Sequence, residues 1–79
     1  MKKELILESV ETYVAGGHRI KVRKRIIDGD AILMDEPHIL QASDGEAADD
    51  AIARLNENLS NWPDVSDKDR AYIRKVIEG

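Results

Sequence analysis

Two glycine-centred breaks, Gly16-Gly17 and Asp28-Gly29-Asp30, punctuate the first third of the chain and leave room between them for a single strand. Glycine reaches positive φ without steric cost, and Gly-Gly and Asp-Gly pairs are favoured centres of tight antiparallel hairpins. The flanking segments, Leu5 to Val14 and Arg19 to Ile27, are rich in β-branched residues that suit a pleated, half-buried surface. A two-residue turn at Gly16-Gly17 pairs Tyr13 with Ile20, Glu11 with Val22, Leu7 with Ile26 and Glu8 with Arg25. Side chains alternate across a strand, so one face carries Leu5, Leu7, Tyr13, Ile20, Val22 and Ile26, with Glu11 as the misfit. A helix over Lys2 to Ala15 competes with this reading, because Ile6, Val10, Tyr13 and Val14 share one side at helical spacing and Gly16 would stop it. The β-branched density and the immediate second strand favour the hairpin.

Beyond Asp28-Gly29-Asp30, Ala31 to Met34 reads as a third antiparallel strand. Asp35-Glu36-Pro37 is expected to end it, since proline gives no N–H to a ladder, and His38 to Ala42 is extended with no assigned partner. From Ser43 onward the signals turn helical. Ser43 and Glu46 have capping-box spacing, which places a helix start at Ser43. Ala48, Ile52, Leu55, Leu59 and Trp62 then form an apolar stripe that Pro63 terminates. Ser66 and Asp69 repeat the box, and Tyr72, Ile73, Val76 and Ile77 are the expected buried stripe of a last helix ending at Glu78. Residues 1–79 thus read as one α+β domain: a three-stranded antiparallel β-meander (1–42) followed by two α-helices (43–79) packed on one face.

The size of the chain limits its chemistry. A chain of 79 residues hides only about 60% of the surface of its unfolded form, which leaves little volume for an enclosed reaction site. There is no cysteine, which removes disulfides, thiolate catalysis and Cys-based zinc sites, and suits a reducing, cytoplasmic setting. No apolar run approaches the roughly 18 residues of a membrane span. The only histidines, His18 and His38, lie in a turn and beside a proline, outside any nucleophile–base pattern. Asp28-Gly29-Asp30 lacks the spacing of a calcium loop, and no glycine-rich phosphate cradle occurs. Asp35, Glu36 and His38 read as solvated groups more readily than as metal ligands. The expectation is a protein without catalysis, metal or cofactor.

What remains is charge. The net charge is −4, from 16 acidic and 12 basic residues, so a generic basic field is absent. The distribution is uneven: residues 1–30 hold seven basic and five acidic groups, residues 31–79 five basic and eleven acidic. In a strand, Arg19, Lys21, Arg23 and Arg25 project to one face at about 6.7 Å intervals, a spacing that suits nucleic-acid backbone. No aromatic interleaves them. At the other pole, Asp35, Glu36, Asp44, Glu46, Asp49 and Asp50 gather around the first helix start, more carboxylates than one cap requires. This acidic surface is the leading candidate for binding a basic protein partner, and the basic strand is the alternative site for RNA or DNA. Open sheet edges add a third possibility, a homodimer.

The stretch from Arg19 to Leu59 resembles the small HicB-type antitoxin domain, which runs strand, glycine turn, strand, proline-bearing loop and a Gly-Asp-Thr-x-Glu-Glu-Ala-Leu helix start. Gly45-Glu46-Ala47-Ala48-Asp49-Asp50-Ala51-Ile52 stands in the place of that helix start, and Asp28-Gly29-Asp30 in the turn. The chain departs at Ala47, where the family has a capping threonine, and Glu36-Pro37-His38-Ile39 replaces the family's Asp-Leu-Pro-Gly. The resemblance implies an α+β module that neutralises a small basic RNA-cleaving toxin by occlusion, with no catalytic residues.

Overall fold

A computed structural model describes all residues, 1–79. Strands β1 (Lys2–Thr12), β2 (His18–Asp28) and β3 (Ala31–Ala42) form an antiparallel sheet of order β1-β2-β3, followed by helices α1 (Ala48–Asn58) and α2 (Asp67–Glu78). The α+β meander with two following helices is the expected architecture, and the N-terminal segment is strand.

The register of the first hairpin differs from a tight Gly16-Gly17 turn. Thr12 pairs with His18 and Val10 with Ile20, then the register shifts between Leu7 and Ser9, so that Leu7 pairs with Val22 and Lys3 with Ile26. The connection is the five-residue loop Tyr13 to Gly17, closed by hydrogen bonds from Tyr13 N to Gly17 O (3.1 Å) and from Gly16 N to Tyr13 O (3.0 Å). Both glycines have positive φ, +103° and +86°. Packing decides between the registers. Leu5, Leu7 and Val10 are the apolar residues of β1 that pack against the core, and their two-then-three spacing fits one face only if a residue bulges out. Glu8 is that residue. The five-residue loop sets Glu11 opposite Arg19 and keeps Tyr13 out of the ladder, 39% exposed, while the bulge lets Glu11 face away from the apolar side.

β3 also runs further than expected, continuing through Pro37, which pairs in register with Arg23. An edge strand tolerates proline where its nitrogen faces away from the neighbouring strand. His38 to Ala42 therefore does have a partner, residues 18 to 22 of β2.

Helix α1 begins at Ala48, five residues after Ser43. Ser43-Asp44-Gly45-Glu46 is a turn: Glu46 reaches back to accept from Ser43 N (3.0 Å), while Ala47 occupies the N-cap without a side-chain bond. The missing cap is replaced from a distance, since Glu78 Oε2 accepts from Ala48 N (3.3 Å) across 30 residues. Ser66 does cap α2, accepting from Asp69 N.

The helices cover one face of the sheet, α2 against β1 and α1 against β3. Ile20, Val22, Leu40, Ala51, Ile52, Leu55 and Ile73 are the heart of the core. Within α2 only Ile73 is buried. Val76 and Ile77 are half-buried, and Tyr72, expected inside, is 48% exposed. Trp62 packs at the core edge, with Lys3 Nζ 5.3 Å from its ring centroid and donating to Asn61 O at 3.0 Å. The molecule measures 41 × 19 × 19 Å. Strands of this length span about 37 Å, helices of eleven residues about 16 Å, so the far end of the β2–β3 hairpin projects beyond the helical layer.

Candidate macromolecular interface

The four cations of β2 lie on the face that no helix covers, because Ile20 and Val22 between them point into the core. They form a ladder flanked by carboxylates. Arg19 lies 3.9 Å from Glu11; Lys21 and Arg23 lie 3.3 and 3.6 Å from Glu8. Arg23 Nε donates to Asp35 Oδ1 at 2.7 Å. Arg25 Nε is 3.3 Å from Asp35 Oδ2 but makes no aligned hydrogen bond, so it acts there as a charge. The bond from Arg23 holds Asp35 below the ordinary carboxylate range, against a smaller opposing effect of desolvation. Four cations thus meet three carboxylates within the sheet itself. Glu8 became a neighbour of Lys21 and Arg23 only through the bulge, which a regular two-residue alternation conceals.

The six acidic candidates do not assemble into one cluster. Asp35 and Glu36 sit midway along β3, where Glu36 lies 4.0 Å from Lys24. Seven residues of extended strand, about 23 Å, separate Asp35 from Ala42. At the opposite end, Asp44, Glu46, Asp49 and Asp50 surround the start of α1. Arg54 grips Glu46 through Nε and Nη2 (2.9 and 2.8 Å) and also donates to Gln41 O (2.8 Å). Hydrogen bonds from Arg54 and from the Ser43 amide lower the Glu46 pKa. Asp49 accepts from Arg74 Nε at 2.8 Å. Asp44 and Asp50 have no ion-pair partner. Sequence reasoning missed Arg54 and Arg74 as the groups that neutralise this end. The four-residue step from Asp50 to Arg54 was visible, but Arg54 turns toward Glu46 in the preceding loop instead.

Gly16 lies against Asp44: a Cβ built on Gly16 would come 2.7 Å from Asp44 Cγ. The loop carrying exposed Tyr13 and Val14 therefore borders the carboxylates of the α1 start.

His38 points from β3 to the helical side. Burial is the main cause of its lowered pKa, with the Lys24 charge second, and its Nε2 is buried without a hydrogen-bond partner. The only concavity is an open surface depression on α2 lined by Ala71, Tyr72, Lys75 and Val76. No three His, Asp or Glu groups converge within ligating reach. No helix is long and apolar enough to cross a membrane. Neither a protein-family model, nor a curated protein, nor a solved structure matches the chain.

Proposed function

We propose that this chain is a non-catalytic interaction module that binds a basic protein through the end of the molecule where α1 starts. The observation that carries this reading is residual charge. The cations of the β2 ladder are all paired, whereas Asp44 and Asp50 are not. Asp49, held by one arginine, has a side chain 64% exposed. Glu46, locked by Arg54, keeps the loop in shape. Unpaired carboxylates steer a cationic partner, and Tyr13 and Val14 beside them supply apolar area for a buried contact. Asp35 and Glu36 lie outside this patch and would meet the partner only if it reached along β3. The antitoxin-like resemblance names one partner class, a small basic RNA-cleaving toxin bound by occlusion.

The test is titration of a basic partner recovered on the immobilised chain against Asp44→Lys/Asp50→Lys. Loss of affinity together with a flatter salt dependence supports the assignment. An unchanged affinity and slope would remove this surface from consideration.

A second reading rests on the alignment of Arg19, Lys21, Arg23 and Arg25 on an uncovered face, which suits a phosphate backbone if phosphates displace the flanking carboxylates. It expects binding of a single-stranded RNA oligonucleotide that falls steeply with salt and is abolished by Lys21→Glu/Arg23→Glu.

A further inference from the structure

The two free edges of the sheet are not equivalent. On β3, Pro37 has no N–H to offer, Leu33 is bulged out of register, and the Gln41 carbonyl is held by Arg54; each of these discourages an added strand. The same groups fix which main-chain atoms of β1 are free. Gln41 O turns outward to Arg54 while Ala42 O faces Gly17, so the odd-numbered residues of β3 from Asp35 to Gln41 point away from β2. Antiparallel ladders alternate, so Arg19, Lys21, Arg23 and Arg25 exchange their hydrogen bonds with Glu11, Ser9, Ile6 and Glu4 of β1. Leu5, Leu7 and Val10 therefore turn their N–H and C=O groups to the open edge, and no other part of the molecule bonds to them.

Beside this edge stands an apolar flank of α2. Arg74 and Glu78 reach Asp49 and Ala48 of α1, and at about 100° per residue Tyr72 and Val76 project from the opposite side of the helix. Because α2 lies on β1 and α1 on β3, that opposite side overlooks the β1 edge. Tyr72 is 48% exposed there, at the rim of the depression it shares with Ala71, Lys75 and Val76. Lys68 and Lys75 bracket Tyr72 along the helix, both exposed and neither in an ion pair. Asp69 is the one carboxylate on this flank, and it sits in the first turn of α2, where the helix dipole offsets it. The flank thus keeps an excess of positive charge.

We infer that the β1 edge and the Tyr72 flank together form a docking groove for an extended acidic segment of a partner protein, added to the sheet as a further strand. Main-chain bonds to Leu5, Leu7 and Val10 hold the segment. One apolar side chain packs on Tyr72 and Val76, and carboxylates two residues to either side of it meet Lys68 and Lys75. Residues four apart on one face of a strand are about 13 Å apart, and Lys68 and Lys75 are about 10 Å apart along the helix, a difference that lysine side chains span. The groove is independent of the acidic surface at the α1 start, since Lys68, Tyr72 and Lys75 face away from α1. The test uses the isotope-labelled full chain and the peptide Thr-Glu-Thr-Val-Thr-Glu-Thr, followed by amide hydrogen exchange. In the free chain the amides of Leu5, Leu7 and Val10 should exchange fast and those of Glu4, Ile6 and Ser9 slowly; the peptide at saturation should slow the first set. Lys68→Glu/Lys75→Glu and Tyr72→Ala, all at exposed positions, should each weaken peptide binding about tenfold. The peptide Thr-Lys-Thr-Val-Thr-Lys-Thr should not bind the unaltered chain. Unchanged exchange at Leu5, Leu7 and Val10, or equal binding of the lysine peptide, overturns the proposal. So does protection of those amides that arises without peptide and grows with chain concentration, which would mark the edge as the seat of a second copy.

Discussion

Gly17 is buried at φ +86°, and a Cβ there would lie 2.8 Å from the Ala42 carbonyl oxygen. Positive φ alone costs a non-glycine residue about 1–2 kcal/mol, and this close approach is to backbone, which cannot swing aside. Gly17→Ala should therefore lower stability by about 2 kcal/mol or more, read as a shifted urea midpoint, whereas Gly29→Ala meets no atom within 4 Å and carries only the cost of its φ. His38 sets a pH dependence. Its folded pKa lies below the ordinary 6.5, so in the window between the two values the unfolded chain binds more protons and stability rises with pH. As the pH falls through 6.5 the His38 contribution should decline, and the carboxylates Asp35 and Glu46, held below their ordinary range, add a further loss at more acidic pH. Chemical denaturation across pH 5–7 checks this, and His38→Gln should remove the slope. That the two glycines would bend the chain was readable from sequence. Their five-residue loop was not, because the choice of register lies in how Leu7 and Val10 pack and not in the turn residues.

At the scale of elements, α1 has a backbone geometry at Ala47, φ −66° and ψ 143°, that suits a capping side chain it does not possess. Ala47→Ser or Ala47→Asp should stabilise the domain by about 0.5–2 kcal/mol, measured by thermal or urea unfolding. Helix α2 depends on a single fully buried anchor. Ile73→Ala should cost about 2–5 kcal/mol, a large part of the roughly 4–12 kcal/mol expected for a domain of this size. Amide exchange should then show α2 opening before the β2 core. The existence and order of all five elements were legible from turn chemistry and periodicity. Several ends were misplaced, among them that of α1, which stops at Asn58 and leaves Trp62 beyond the helix instead of running to Pro63. Pro37 reads as a strand terminator unless the strand is known to be an edge, and Ser43-Asp44-Gly45-Glu46 has the spacing of a capping box while Gly45, at φ +82°, keeps it a turn. Tyr72 matched a helical stripe whose outer side simply has nothing packed on it.

For the molecule as a whole, the charge imbalance between the two halves of the sequence was readable but the map of charge was not. Counting along the chain assigns Asp35 to an acidic pole, yet strand pairing delivers it to Arg23 and Arg25, and Glu46 and Asp49 are likewise met by arginines from distant turns of helix. Pairing in space reduces the acidic candidate site to Asp44, Asp49 and Asp50 with the adjoining loop, and pairs every member of the basic one. The residue that closes the amide end of α1 is Glu78, thirty positions downstream of Ala48. The start of α1 is thus tied to the last turn of α2 by a hydrogen bond as well as by the packing of the two helices. Fraying of the closing turn of α2 would therefore also loosen the end of the molecule proposed to grip a partner.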